Sequence, residues 1–264
     1  MNLHPMQMDL KGKNFRDWLK DYSNGSTVEQ SELDAGRYYP RVWRTAPELE
    51  THGDPILRVE DTQEFDTFVN ALEQIEGLCE DLLYVFRVVH PAMDGNLNAY
   101  GGAIRDVIIL ACTEVEAQWR GVLEAHSVTP EGNYYNTQDY VKLLPALKLN
   151  EYAVKSIRYP SLKAIAPFRG WAASDPTKSL NWYSAYNKVK HDREMAFSEA
   201  SLIRAIEVVA GCVVMLAAQF GVQALERHHF KSLFEITERP KWEPKQWYYQ
   251  PIPGEKWSGE RCPI

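Results

Sequence analysis

Residues 62–90 read TQEFDTFVNALEQIEGLCEDLLYVFRVVH. Within them Phe65, Phe68, Val69, Leu72, Ile75, Leu78, Cys79, Leu82, Leu83 and Phe86 recur at intervals of three and four, the spacing that lines one face of an α-helix. Asp61 or Thr62 can cap the start, and Glu64 sits in the first turn, where a carboxylate suits the helix dipole. Pro91 ends the pattern after His90. The spacing predicts a helix of about seven or eight turns. A second pattern follows from Gly102 to Ala125, with Ile104, Val107, Ile108, Ala111, Val115, Trp119, Val122 and Leu123 on its apolar face. The turn-rich AMDGNLNAYGG between the two predicts an antiparallel helix pair.

Outward from this pair, the most apolar run is VVAGCVVMLAA at 208–218, eleven residues long. That is short of the roughly 20 a bilayer crossing needs, so it reads as a buried core helix. Ser198 or Ser201 is placed to cap it, and Gly221 to end it. TQDYVKLLPALKL starts a short helix with Thr137 as cap. Residues 151–181 are broken by Pro160, Pro167, Gly170 and Pro176, and a loop of that length inside a compact domain carries function more often than not. The class is all-α, a helical bundle with irregular ends.

The ends differ from the middle, and the chain divides as 1–60, 61–236 and 237–264. In the first part, NFRDWLKDY predicts a short amphipathic helix, RYYPRVW an extended aromatic run, and PILRVED a short strand. VQALERHHFKSLFEI adds a last amphipathic turn or two. The tail holds five prolines and three tryptophans, which excludes a regular helix; its WYYQ reads as a short strand. Such an aromatic tail can stack bases or pack across its own bundle, and the acidity of the chain favours packing.

The 264 residues suffice for a sizeable core, and the four cysteines have neither disulfide nor zinc spacing. They read as reduced and structural, which suits a cytoplasmic protein. The N-terminus lacks the apolar core of a signal peptide, and no membrane association is expected. The net charge of −7 argues against a nonspecific nucleic-acid coat. Its distribution is uneven. Residues 151–193 hold eight Lys/Arg against three Asp/Glu, leaving −12 on the rest. A basic island in an acidic chain fits a focused anionic ligand better than a long duplex footprint.

That island ends in WYSAYNKVKHDRE, 182–194. On a helix Asn187 and His191 share a face, with Lys190 beside them and Tyr186, Lys188 and Arg193 close by. The imidazole can take or give a proton, the amide can orient the ring or a ribose, and the cations can hold a phosphate. Metal-independent RNA cleavage needs such parts: one group takes the 2′-hydroxyl proton, one protonates the leaving oxygen, and a cation steadies the phosphorane.

The stretch Tyr186-Asn187-Lys188-Val189-Lys190-His191 resembles the motif of the HEPN superfamily, helical proteins of toxin–antitoxin and anti-phage defence systems, many of them ribonucleases. Asn187 and His191 match the polar second position and the terminal histidine; Tyr186 stands where the motif has arginine. The order long helix, long helix, irregular segment, motif helix, apolar helix is similar over roughly 61–235. The resemblance implies a HEPN-like bundle, a homodimer, RNA as partner, no cofactor and no metal. It implies His191 as general acid/base and Asn187 as its companion; Lys190, Arg193 or Lys188 can supply the charge in place of the motif arginine and hold the phosphate. The other reading, which the tyrosine favours, is a catalytically inactive module binding a protein partner or a nucleotide signal.

Supporting residues are sought on the second helix. Arg105 and Glu116 are eleven apart and share a stripe with Thr113 and Arg120. Glu116 or Glu114 can pair with His191, Lys190 or Arg193 and orient the site, or Glu116 can form a surface ion pair with Arg120. His228 and His229 point about 100° apart on a helix and have no further ligand at metal spacing, so they read as structural or exposed. The Gly pair in YGGA, 100–103, reads as a turn, or as a weak anion nest.

Overall fold

The computed structural model describes residues 12, 14, 17–18, 30–44, 62–192, 194–225 and 233–264. The expected strand at PILRVED, His228, His229, Arg193 and most of the expected helix at NFRDWLKDY lie outside the described residues; within that last stretch Asp17 and Trp18 are helical.

Both long helices form where the apolar spacing places them. α1 spans Thr62–Val88 and α2 spans Gly102–Ala125. α1 buries Phe68, Leu72, Ile75, Leu78, Cys79, Leu82 and Phe86, while Phe65 at the free end of its stripe is 49 % exposed. Two one-turn helices follow, α3 at Thr137–Tyr140 and α4 at Leu143–Ala146. The cap of α3 is Asn136 rather than Thr137: its side chain accepts from Gln138 N–H at 2.8 Å, and Asp139 reaches back to Asn136 N–H at 3.1 Å, a reciprocal capping box.

The motif helix α5 runs Asn181–His191. The apolar run belongs to α6, Leu202–Phe220. At 19 residues it is longer than the run itself and, by length and composition alone, could cross a bilayer; 83 % of its apolar window is buried inside the bundle, as in a core helix. α1, α2 and α5 all pack against it. Ser201 occupies its N-cap without a side-chain cap bond. Gly221 ends it with φ +90°, and a Cβ there would lie 2.6 Å from Trp43 Cε2. α7 adds one turn at Val222–Leu225.

The described chain is helix-rich, but it is not purely α. β1 (Arg37–Tyr38) pairs in parallel with β4 (Ser258–Gly259). β2 (Ala153–Ser156) pairs antiparallel with β3 (Phe234–Glu238), with an irregularity between Ala153 and Val154. β3 forms where a helical turn is expected from sequence, and the WYYQ stretch lies outside the strands. The tail packs across the bundle end. Tyr248 is 1 % exposed and donates to Val42 O at 2.7 Å, while Cys262 N–H donates to His126 Nδ1 at 3.0 Å. The four cysteines are free and buried.

The irregular segment before α5 is held by an aromatic cluster. Trp119 of α2 stacks on Trp171 at 4.8 Å between centroids and meets Trp182 of α5 at 6.0 Å. The indole N–H of Trp171 donates to Pro176 O at 2.9 Å and that of Trp182 to Pro167 O at 2.8 Å. The prolines that break the helical pattern thus supply carbonyls to buried indoles, as buried N–H groups require. α5 is thereby fixed against α2.

Candidate functional site

α5 buries Trp182, Tyr183, Ala185, Tyr186 and Val189. This 3.6-residue pattern leaves Asn187 half-buried and Lys188, Lys190 and His191 exposed. His191 is the last helical residue, and with Lys188 and Lys190 it places cationic or titratable groups in the final turn, where the dipole favours positive charge. Among the described residues, His191 makes no hydrogen bond, ion pair or ring contact. Its imidazole is open to solvent one turn from Asn187.

Asn187 donates through Nδ2 to Tyr183 O, 2.9 Å away and one turn back. Its Oδ1 remains an acceptor for an incoming donor. Tyr186, at the position of the motif arginine, is 2 % exposed. Lys190 Nζ donates to its hydroxyl at 3.0 Å and lies 5.0 Å from the ring centroid. That hydrogen bond holds the Lys190 ammonium above the usual lysine range; partial burial opposes it, and Glu116 adds to the rise. Lys188 forms an ion pair with Glu199 at 2.9 Å, both ends about half exposed. An exposed pair of this kind contributes little to stability and is readily exchanged for a ligand.

Of the supporting residues, Glu116 does reach α5. The Tyr183 hydroxyl donates to Glu116 Oε1 at 2.6 Å, a charge-assisted bond that ties α2 to α5 immediately behind Lys190. Burial first, and this bond second, push the Tyr183 phenol well above its ordinary range. The ion pair between Glu116 and Arg120 does not form among the described residues; the Arg120 charge acts on the Tyr140 phenol instead, against the burial that raises it. Glu114 lies elsewhere. It accepts from Gln118 at 2.8 Å, burial raises its carboxyl, and it feels Arg41 rather than any group on α5. Arg105 pairs with its neighbour Asp106 at 3.0 Å and bonds to nothing on α5 among the described residues.

The structure therefore links Glu116, Tyr183, Tyr186 and Lys190 where α2 meets α5, carries Asn187 and His191 on the more open part of α5, and leaves Glu114 and Arg105 out. Tyr183 is the functional link that sequence reasoning underused. It shares a helical face with Asn187, but its bond to Glu116 needs the packing of a helix 67 positions away. Glu199, which holds Lys188, comes from the short 3-10 turn Phe197–Glu199 and has no sequence signal. Among the described residues no three His, Cys, Asp or Glu side chains come together as metal ligands. The arrangement can bind an anion at Lys190 and exchange a proton at His191.

No family model matches the chain, and no curated protein and no solved structure matches it.

Proposed function

We propose that the chain is a HEPN-like helical protein that acts on RNA at the C-terminal end of α5. The observation that carries the reading is the exposed, unengaged His191 beside Lys190 and one turn above Asn187. An imidazole in that position takes the proton of a ribose 2′-hydroxyl. The freed oxygen attacks phosphorus, the 5′-oxygen leaves with a proton returned to it, and a cyclic phosphate remains. Lys190 steadies the charge on the phosphorane, and Asn187 Oδ1 accepts from the ribose. One chain brings one such imidazole; the second proton-transfer group comes from His191 of a second copy, so the reading implies a homodimer. No metal takes part in these steps.

The test is cleavage of labelled RNA in EDTA by purified wild type and His191→Ala. A general acid/base is worth about 10²–10⁴ in rate, so the variant should lose at least about a hundredfold. Equal rates in the two proteins would remove the nuclease reading.

A specific observation favours a second reading, the catalytically inactive binding module. The residue in the arginine position, Tyr186, is buried, and the nearest ammonium is already held on its hydroxyl. Under that reading RNA is not cut, and a partner or nucleotide is retained equally by wild type and His191→Ala.

A further inference from the structure

The opposite end of α5 opens into a cavity of about 350 Å³. This lies in the range of small-molecule sites. Its lining holds apolar side chains, among them Leu97, Ile165, Ile203 and Ile206, together with the polar Lys163, Arg169, Asn181 and Glu207.

The charges at this cavity do not cancel. Arg169 is neutralised by Glu238 at 2.6 Å, and Glu207 by Arg204 at 2.7 Å. Burial further favours the protonated form of Glu207. Lys163 has no ion pair among the described residues and is left as the uncompensated charge. The Asn181 amide lines the same cavity, exposed and without a hydrogen-bond partner among the described residues. The peptide N–H groups of Asn181 and Trp182 likewise meet no acceptor there, because Leu180 at the N-cap has no side chain that can accept. The cavity therefore brings together several donors, one uncompensated positive charge and hydrocarbon. Lys163 and Arg169 also belong to the basic island of an otherwise acidic chain.

We propose that this cavity binds a small phosphate monoester of mononucleotide size, its phosphate held by Lys163 and Asn181 and its body against the apolar lining residues. A phosphate has the three acceptor oxygens that a cluster of N–H donors and an ammonium can share, where a carboxylate has two. The site is separate from the His191 end, roughly 15 Å away along an eleven-residue helix. It does not rest on the RNA reading.

The test is calorimetric titration of the full chain with AMP, GMP, CMP and UMP, with octyl phosphate, with the four nucleosides, and with inorganic phosphate. At least one mononucleotide should saturate one site per chain below about 1 mM, with its nucleoside at least about tenfold weaker. Lys163→Glu, an exposed change, should weaken binding at least about tenfold. Ala166→Trp, which fills the cavity, should abolish it, and thermal unfolding will show that both variants fold. His191→Ala should bind as wild type does. No saturation by any nucleotide up to about 5 mM, an unchanged affinity in folded Lys163→Glu, or loss of binding in His191→Ala overturns the proposal. Saturation by octyl phosphate with none by the nucleotides overturns its mononucleotide assignment.

Discussion

Two single side chains hold more of this molecule than their size suggests. Tyr183 joins α5 to α2 through one bond to a carboxylate. Removing its hydroxyl leaves Glu116 half-buried without that donor. Hydrogen bonds to charged groups are worth about 1.5–3 kcal/mol, so Tyr183→Phe should lower the free energy of unfolding by about that amount in urea titrations. His126 is 3 % exposed. Burial first, with Arg41 and Arg44 adding to it against the Pro40 carbonyl, lowers its pKa to about 4. Above pH 6.5 the imidazole is neutral in both folded and unfolded chains, and its contribution is complete. As pH falls from 6.5 toward 4, the unfolded chain takes up the proton first and stability is lost, at most about 1.4 kcal/mol per pH unit. His126→Asn, which keeps an acceptor for Cys262 N–H, should flatten that part of the pH–stability curve; a curve as steep as wild type would show that other groups set it. At this scale the sequence marks Asn187 and His191 by type and spacing. It is silent on the acceptor of the Tyr183 hydroxyl and on the burial of His126, because both partners arrive from segments distant in the chain.

Elements are legible where one period runs long enough to outweigh everything else. Twenty-seven residues of three-and-four spacing in α1 leave no other regular structure that buries them together. α2 is legible for the same reason, and its apolar stripe reappears as the buried face. β3 is misread because five residues of FEITE carry no decisive period; pairing with β2 makes them a strand. β1 and β4 are two residues each and exist only as each other's complement. The end of α6 is legible through Gly221, though the structure adds a reason beyond helix termination. Its φ of +90° suits glycine, and the Trp43 indole lies against the position a side chain would take. Gly221→Ala therefore meets backbone strain and a rigid ring at once. Strain of this kind costs about 1–3 kcal/mol, and the change should lower the melting temperature while leaving the helical circular dichroism of the folded protein unaltered. An alanine variant as stable as wild type would mean that Trp43 moves aside at no cost.

At the scale of the whole molecule, the described N-terminal segment and the tail close over one end of the bundle together. Arg44, which is 7 % exposed, is the side chain that touches both. Its guanidinium lies 4.9 Å from the Tyr39 ring centroid and 4.6 Å from that of Trp242, and it pairs with Glu32 at 3.2 Å. Tyr39 and Tyr38 meet the buried ring of Tyr248 edge-on, each at 6.3 Å. No single run of sequence contains this arrangement: its two halves come from opposite ends of the chain, residues 32–44 and 242–248, and prolines rather than a period shape both stretches. Truncating Tyr248 to alanine would empty a buried aromatic site and remove the hydroxyl that caps Val42 O. Aromatic-to-alanine changes in a core cost about 3–5 kcal/mol, which for a chain of this length shifts the melting temperature by roughly 6–20 °C. If the tail is part of the cooperative core, Tyr248→Ala should melt in one transition, shifted down throughout, with tryptophan fluorescence and far-ultraviolet circular dichroism moving together. A variant in which fluorescence changes early while the helical signal keeps the wild-type midpoint would show instead that the clasp opens as a separate unit and that the bundle stands without it.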